Sequence, residues 1–553
     1  MIWWRDVMII GLIVGLSISV GRYIAAVMAG KKVWLSAVLK PVEKRIYRIL
    51  GYQDTPAEMS GRQFVLAIVV FSLMSLFVVM GVLMTQQWLP FNPNHVHNVP
   101  WDLALNTAMS FVTNTDWQAY SGETAMSYLS QFAVLTTQNF ASAAVGVAAL
   151  LAVIRGFSRK ESQTVGNFWV DITRFTLYVL VPLSIVLTLL MVSQGAVQNF
   201  APNHAVQGIL LPSGPASSQF AISLLGSNGG GFFGANAAAL FHNPTGLSNL
   251  CESVAIVLLP AALVVMFGQM VGRRQAMVIY AVMLGLLGLA VIGTTLSELH
   301  LGQHVTGVAG STALEGKNVV NGIGLSALWN TLSTAVSNGS VNASLDSFTP
   351  LGGLIPMLLM QLGEIVFGGV GSGLYGMLSF VLLTVFISGL MVGRTPEYLG
   401  KKIAAYDMKM VALAILLPPV LTLVSTGIAV SWPGIRSSLT NTGAHGFSEI
   451  LYGFSSMGNN NGSSFAGFNG DQPMVNVVGT VLMGCTRFVP LLAMVYLGAN
   501  LAKKKQMAIS SGTLRTDTGL FAVLLLVIIL LIGALNFVPA LILGPIADFL
   551  TAR

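Results

Sequence analysis

Four short polar stretches interrupt an otherwise apolar chain, and they read VTNT (112–115), GSNG (226–229), VSNG (336–339) and NNNG (459–462). Each contains an asparagine beside small or polar residues, and three of the four end in glycine. Gaps of 114, 110 and 123 residues separate their asparagines, Asn114, Asn228, Asn338 and Asn461. A polar loop that recurs between apolar segments predicts four equivalent structural units.

The composition of the chain indicates a membrane protein. Of its 553 residues, 54% are hydrophobic and only 8% are charged, whereas about 25% of the residues of a soluble domain are charged. The net charge is +7, but the basic residues fall in short loops between apolar spans, which indicates membrane topology rather than nucleic-acid binding. Cys251 and Cys485 lie far apart in apolar segments and support neither a disulfide framework nor a zinc site.

Because about 20 apolar residues cross a bilayer as a helix, the sequence predicts ten transmembrane helices. They lie near residues 7–28, 63–86, 127–153, 171–193, 249–270, 276–297, 354–391, 408–430, 474–500 and 518–543. The stretch 354–391 is too long for one straight span. Its glycine-rich centre, Phe367–Gly373, predicts a helix that breaks inside the membrane.

Lysine and arginine are distributed unevenly between the loops. Residues 87–126 and 194–248 contain neither residue type, and residues 298–350 and 431–473 contain one basic residue each. The other loops hold a larger basic set, which includes Lys31, Lys32, Lys40, Lys44, Arg155, Arg159, Lys160, Arg273, Arg274, Arg394, Lys401, Lys402, Lys503, Lys504, Lys505 and Arg515. Because basic loops stay on the cytoplasmic side, ten spans predict that both termini lie outside.

All four polar stretches lie in the long, base-poor loops, and each follows a short segment of helical character. These segments cover residues 101–111, 215–226, 323–335 and 446–456. The fold class is therefore an all-α integral membrane protein in which span, half-helix, filter and span repeat four times around a central pore, with one extra helix at each end. The expected boundaries are 1–62 for the first helix and a cytoplasmic loop, 63–170, 171–275, 276–407 and 408–516 for the four repeats, and 517–553 for the last helix.

Four convergent loops of this kind predict a selectivity filter for a cation. A cation inside a bilayer exchanges its water for protein oxygens, and backbone carbonyls supply these without a fixed charge. Glycine reaches the required backbone conformations freely, and a half-helix directs its negative dipole end at the cation. The alternative, an exposed turn, fits any one stretch but not four in matching positions. The predicted filter residues are Thr113, Asn114, Thr115, Ser227, Asn228, Gly229, Ser337, Asn338, Gly339, Asn460, Asn461 and Gly462.

Charged residues inside the apolar spans are further functional candidates. Arg487 lies within the span 474–500, where a charge costs about 2.5–3.5 kcal/mol on the insertion scale. Below a filter it would repel cations that continue straight down and favour a sideways exit; the alternative is an arginine that reaches the interface. Glu364 is a candidate counter-charge, or else a packing residue in a salt bridge. Asp171 and Arg174, three residues apart, are predicted to form an interfacial pair.

Longer stretches of the sequence match a known family of membrane proteins. They read WDLALNT (101–107), YSGET (120–124), NGGGFF (228–233), GEIVFGGVGSGLYG (363–376), GRTPEYLGKK (393–402) and HGFSE (445–449). Over essentially the whole chain the sequence resembles the KdpA family. Its members are the potassium-binding subunits of the bacterial Kdp ATPases and belong to the superfamily of potassium transporters.

The resemblance implies that potassium enters the filter from outside and passes through an intramembrane tunnel to KdpB, a P-type ATPase subunit. It also implies the partners KdpC and a small KdpF peptide, the bacterial inner membrane, and potassium as bound and transported ion without an organic cofactor. By the same resemblance Gln118 corresponds to a glutamine that tunes affinity near the filter, Arg487 to an arginine below it, and Ser372 to the break in the long helix. The chain departs from the family at Asn338, where cysteine is frequent, and at Asp116, where asparagine is frequent.

The sequence contains neither an Asp-Lys-Thr-Gly phosphorylation motif nor a P-loop. We therefore expect the chain to be a non-hydrolytic subunit. One alternative is an autonomous potassium channel or uniporter of the same superfamily. A membrane-embedded hydrolase that uses Glu364 or the outer-loop histidines is a weaker alternative, because the sequence offers it no nucleophile–base pair and no metal motif.

Overall fold

Helices dominate the computed structural model, which describes residues 2–52, 56–300, 314–391, 393, 395–507 and 514–551. Arg394, one of the basic loop residues named above, lies outside the described residues. In chain order the helices are α1 (Ile2–Met28), α2 (Ser36–Ile49), α3 (Gly61–Trp88), α4 (Trp101–Val112), α5 (Ser130–Ser158), α6 (Phe168–Ser193), α7 (Ala216–Gly226), α8 (Gly246–Met270), α9 (Arg273–His300), α10 (Gly322–Ala335), α11 (Pro350–Gln361), α12 (Ser372–Met391), α13 (Ala405–Ser431), α14 (Gly443–Gly458), α15 (Pro473–Lys503) and α16 (Gly519–Thr551).

Ten of these helices are long and apolar enough to cross a membrane, namely α1, α3, α5, α6, α8, α9, α12, α13, α15 and α16. The ten predicted spans are thereby confirmed. Two one-turn helices, Gly122–Ala125 and Pro433–Arg436, and two small antiparallel hairpins are also present. The hairpins pair β1 (His204–Val206) with β2 (Ile209–Leu211), and β3 (Glu397–Tyr398) with β4 (Lys401–Lys402).

The order of span, half-helix, polar stretch and span occurs four times. The half-helices are α4, α7, α10 and α14, and each ends where a polar stretch begins. The spans around them are α3 and α5, α6 and α8, α9 and α12, and α13 and α15, while α1 and α16 flank the set. The predicted all-α membrane fold with one extra helix at each end is confirmed.

The long third-repeat helix is broken, as predicted. The helix α11 ends at Gln361 and α12 begins at Ser372. Five residues of the connection have positive φ and so leave the helical conformation, namely Gly363, Glu364, Phe367, Gly368 and Gly371. A Cβ on Gly371 would collide with the backbone of Gly146 on α5, so only glycine allows this contact. The irregular backbone is thus enclosed by protein, which is the condition for its survival within a membrane.

The helices α5 and α8 form the centre of the molecule. In the most apolar part of each, 83% of the residues are buried, against 28% in α1, α3 and α16. Small residues allow neighbouring backbones to approach α5 closely, and a Cβ on Gly156 of α5 would collide with the backbone of Gly498 on α15. The two central helices therefore carry the core, and the outer spans present apolar side chains to lipid.

Asp171 and Arg174 do not pair with each other, so the predicted interfacial pair is wrong. Asp171 accepts hydrogen bonds from both terminal nitrogens of Arg155, at 2.5 and 2.7 Å. Arg174 donates from Nε to Glu43 on α2, at 2.9 Å. The two residues lie on one helix, but Asp171 bonds to α5 and Arg174 bonds to α2. Each charge therefore has a nearer partner in the tertiary structure.

We expect Asp171→Asn to destabilise the protein more than the loss of an exposed ion pair does. The Asp171 side chain is 2% exposed and that of Arg155 is 13% exposed, so the variant leaves a buried guanidinium without its counter-charge, at a cost of about 3–5 kcal/mol. The matched control is Glu58→Gln, whose partner Arg159 is more exposed, and we expect it to cost less than about 1 kcal/mol. Thermal unfolding in detergent measures both, and equal shifts in the two variants would contradict the expectation.

Candidate ion-binding site

The four polar stretches meet at one place in the structure. A Cβ on Gly229 would lie 2.8 Å from the carbonyl oxygen of Thr115, and closer still to that of Asn461. A Cβ on Gly339 would lie 2.7 Å from the Cα of Gly229 and would overlap the Asn461 carbonyl. The backbones of all four stretches therefore pack directly against one another, and the glycines are required by this close approach.

Each stretch leaves its half-helix with the same backbone geometry. The first residue of left-handed conformation is, in order, Asn114, Ser227, Ser337 and Asn460, with φ of 65°, 53°, 50° and 50°. In every case the N–H of the next residue donates to the carbonyl of a serine five positions earlier. These bonds are Thr115 to Ser110 at 2.9 Å, Asn228 to Ser223 at 2.9 Å, Asn338 to Ser333 at 2.8 Å and Asn461 to Ser456 at 2.9 Å.

This shared geometry corrects the alignment of the repeat. The sequence pattern aligned Asn114 with the third residue of the other stretches, but the residue equivalent to Asn228 is Thr115. The pattern gave the wrong alignment because Asn114 occupies the position of Ser227, Ser337 and Asn460, one residue before the asparagine of the other stretches. Asp116 consequently occupies the position that is glycine elsewhere; it is buried and has a φ of 52°.

Side chains connect neighbouring stretches into a closed ring. Asn114 Nδ2 of the first stretch donates to Ser227 O of the second at 2.6 Å, and Asn338 Nδ2 of the third stretch donates to Ser223 O in the half-helix before the second at 3.3 Å. Ser337 Oγ of the third stretch donates to Asn459 O of the fourth at 3.2 Å, and Asn460 Nδ2 of the fourth donates to Thr115 Oγ1 of the first at 2.9 Å. Asn114 also accepts from Ser142 of α5, at 2.8 Å. The asparagines therefore fix the relative positions of the four backbones, a role that the sequence pattern did not reveal.

Four equivalent carbonyl oxygens in this ring have no protein partner. They belong to Thr115, Asn228, Asn338 and Asn461, and none accepts a hydrogen bond from a described residue. Buried carbonyl groups are normally paired. Unpaired carbonyls at the same register position of four packed backbones, each following the C-terminal end of a half-helix, form a ring of partial negative charge. Such a ring can replace the hydration shell of a cation.

Gln118 lies beside this ring. Its Oε1 accepts from the backbone N–H of Gly231 at 3.0 Å, and its Nε2 donates to the hydroxyl of Tyr120 at 3.1 Å. The side chain is half-buried. Gln118 therefore connects the segment that follows the first stretch with the segment that follows the second, where a change of charge would act on the ring.

The three residues predicted to act on cations as they leave the filter line one cavity. Glu364, Ser372 and Arg487 line a cavity of about 60 Å³ together with Asn459 and Asn460 of the fourth stretch. Ser372 Oγ donates to Glu364 Oε2 at 2.8 Å. Arg487 is buried, and among the described residues no direct ion pair joins it to Glu364. Glu364 and Arg487 thus line the same cavity without a direct ion pair.

His445 fixes the helix that carries the fourth stretch. Its Nδ1 lies 2.8 Å from Asp548 near the end of α16, and its Nε2 lies 3.0 Å from Asp346, which follows the third stretch. Hydrogen bonds to Asp346 and Asp548 raise the pKa of His445 to about 10. The sequence offered no signal for this clamp, because its members lie about a hundred residues apart in the chain.

Comparison with known proteins identifies the family. Residues 7–550 match the family model KdpA, described as potassium-transporting ATPase A subunit. The chain belongs to the KdpA family. This membership confirms the resemblance found in the sequence.

Similar proteins carry one name, potassium-transporting ATPase potassium-binding subunit. One from Listeria monocytogenes serotype 4a (strain HCC23) is 54% identical to this KdpA-family chain, over 99% of this chain and 98% of its own length. One from Clostridium botulinum (strain Eklund 17B / Type B) is 48% identical, over 97% of each chain. One from Desulfovibrio desulfuricans (strain ATCC 27774 / DSM 6949 / MB) is 49% identical, over 99% of this chain and 98% of its own length.

We expect His445→Gln to destabilise the protein in a pH-dependent way. Because the pKa of His445 in the folded chain, about 10, exceeds the ordinary value of about 6.5, the clamp stabilises fully below pH 6.5. That stabilisation, about 1.5–3 kcal/mol for a hydrogen bond to a charged group, is lost as the pH rises through about 10. Thermal unfolding at pH 6, 8 and 10 should give a difference from wild type that shrinks with pH. The exposed His97→Gln is the control, and a pH-independent difference for His445→Gln would contradict the clamp.

Proposed function

We propose that this chain is the potassium-binding and translocating subunit of an ATP-driven, high-affinity potassium importer. The ring of unpaired carbonyls at Thr115, Asn228, Asn338 and Asn461 is the observation that supports this most directly. The names of the similar proteins, potassium-transporting ATPase potassium-binding subunit, agree with it. Potassium is the bound ion and the cargo, and the chain uses no organic cofactor.

The filter selects potassium by coordination with backbone oxygens. A large monovalent ion loses its water more easily than sodium and fits a ring built from several convergent carbonyls. The inter-stretch hydrogen bonds of Asn114, Asn338 and Asn460 hold the oxygens at fixed separations. Gln118, beside the ring, tunes the affinity.

Below the filter, potassium leaves sideways. Arg487 places a fixed positive charge in the cavity under the fourth stretch, and this charge opposes a straight path to the cytoplasm. The break between α11 and α12, together with α13 and α16, forms the other walls of that cavity. The ion passes from there through an intramembrane tunnel to KdpB, the P-type ATPase subunit that hydrolyses ATP, and KdpC and a small KdpF peptide complete the complex.

The chain lies in the bacterial inner membrane with both termini outside the cytoplasm. The basic ends of the spans, including Arg155, Arg159 and Lys504, face the cytoplasm, in agreement with the positive-inside rule. The filter then opens on the base-poor outer side. Lys317, the one lysine of the third outer loop, is paired with Glu298 at 2.8 Å and adds no free positive charge near the entrance.

We expect Gly339→Ala to raise the potassium concentration that half-saturates ATP hydrolysis by the assembled complex, about tenfold or more, and to reduce discrimination against sodium. The added methyl group overlaps the Asn461 carbonyl and displaces a coordinating oxygen. The matched control is Gly322→Ala, which also has positive φ but open space around it. Because both variants carry the same backbone strain, an equal effect of the two would argue against a filter at Gly339.

We expect Arg487→Met to lower the amount of potassium transported per ATP or to create a passive leak, because the charge that closes the straight path is removed. Potassium flux into liposomes that contain the whole complex, with and without ATP, measures both effects. The control is Arg436→Met, an exposed outer arginine. Normal coupling and no leak would make Arg487 a structural residue, and potassium uptake by the chain reconstituted alone would identify an autonomous channel instead.

A further inference from the structure

A large basic cavity lies at the end of α1 opposite to the filter side of the molecule. It has a volume of about 790 Å³ and lies between the C-terminal end of α1, the helix α2 and the start of α6. Six basic residues line it, namely Lys31, Lys32, Lys40, Lys44, Arg48 and Arg174, and Glu43 is its one acidic residue. None of these residues belongs to the filter or to the exit cavity, so potassium binding does not explain the excess of positive charge.

Arg174 is fixed in this cavity with part of its guanidinium unused. Its Nε donates to Glu43 at 2.9 Å, and the hydroxyls of Tyr47 and Tyr178 donate to the same carboxylate at 2.8 Å each. Burial opposes ionisation of Glu43, but these hydrogen bonds lower its pKa overall, so the carboxylate is charged and holds Arg174. Among the described residues, the terminal Nη groups of Arg174 have no hydrogen-bond partner. They remain available to an anion.

The first turn of α2 adds one backbone donor to the same cavity. Ser36 and Ala37 line it and are the first two residues of this 14-residue helix. The N–H of Ser36 donates to the carbonyl of Val33 at 2.9 Å, whereas the N–H of Ala37 has no acceptor among the described residues. The helix dipole favours negative charge at this end. The side chains and the backbone therefore point to one ligand chemistry, an oxyanion.

The opposite side of α2 is apolar and exposed. Val38 and Ile49 of α2 are 70% and 83% exposed, and Trp34, just before the helix, is 77% exposed. A short amphipathic helix with basic residues on one side and exposed apolar residues on the other lies in the interface of a bilayer. An interfacial position of α2 would place the cavity at the level of the lipid headgroups, with the apolar side of α2 toward the acyl chains.

We propose that this cavity binds the phosphate headgroup of an anionic phospholipid. The six basic residues and one paired acid provide the charge complementarity, and basic pockets beside transmembrane helices are typical sites for such headgroups. Free phosphate shares the anionic chemistry but makes no use of the exposed Trp34, Val38 and Ile49, so the lipid is the favoured occupant. The proposal does not depend on the filter, and either can fail without the other.

The test uses the whole complex, purified in detergent and titrated with 1-palmitoyl-2-oleoyl-phosphatidylglycerol or the matching phosphatidylcholine. Native mass spectrometry counts the bound lipids. The test variant replaces Lys31, Lys32 and Lys40 with glutamine. The control variant replaces Lys160, Lys503 and Lys505, which lie outside the cavity, with glutamine. It lowers the net charge by the same amount. A further sample contains inorganic phosphate as a competitor.

We expect wild type and the control to retain phosphatidylglycerol in preference to phosphatidylcholine. The cavity variant should bind phosphatidylglycerol at least about tenfold more weakly, because each basic residue near the headgroup contributes to the affinity. Millimolar inorganic phosphate should not displace the lipid. Equal retention by the two variants would overturn the proposal, as would displacement by inorganic phosphate alone, which would indicate a free-anion site. So would cross-linking of a Lys40→Cys variant to a partner subunit, which would indicate an acidic protein segment in the cavity.

Discussion

Backbone polar groups inside a bilayer have no water to pair with, and this constraint governs the whole molecule. The chain nevertheless ends four half-helices and breaks a fifth helix within its membrane-spanning body. Each interruption must therefore be enclosed by protein. The helices α5 and α8 provide that enclosure, and glycines such as Gly146 and Gly371 allow the backbones to touch. The burial of these two helices and the arrangement of the outer spans are consequences of the need to shield irregular backbone from lipid.

The same constraint explains how unpaired carbonyls can persist in the ring. Four buried acceptors without partners are costly, and the cost is tolerated only if the surrounding structure prevents relaxation. Asn114, Asn338 and Asn460 provide this rigidity through hydrogen bonds between the stretches, and the serine carbonyls five positions earlier fix each turn. In the proposed function a bound cation supplies the missing partner. The four carbonyls are held in place before any ion arrives, and such dipoles would coordinate the ion without a permanent charge that would trap it.

Apart from Asp116, which lies in the first stretch itself, charged residues occupy the borders of the ring and are mostly paired. Arg155 with Asp171, Arg174 with Glu43, Lys317 with Glu298, and His445 with two aspartates join segments that are separate in the chain. Arg487 differs from these, because it is buried and has no ion pair among the described residues. Its position in a cavity rather than at a helix contact agrees with an action on a passing cation. The basic cavity around Arg174 likewise has more positive charge than the protein itself neutralises.

The sequence alone determined the ten spans, the four half-helices, the helix break and the recurrence of the filter stretches. These features depend on local properties, namely apolar length, glycine content and periodic polar interruptions, which a chain displays before it folds. The tertiary structure decided the register of the repeat, with Thr115 rather than Asn114 equivalent to Asn228, and the partners of Asp171, Arg174 and His445. Those outcomes depend on which helices pack together. Residues a hundred positions apart show no periodic pattern in the sequence that would reveal them as hydrogen-bond partners. They become neighbours only in the folded chain, where burial strengthens the bond between them.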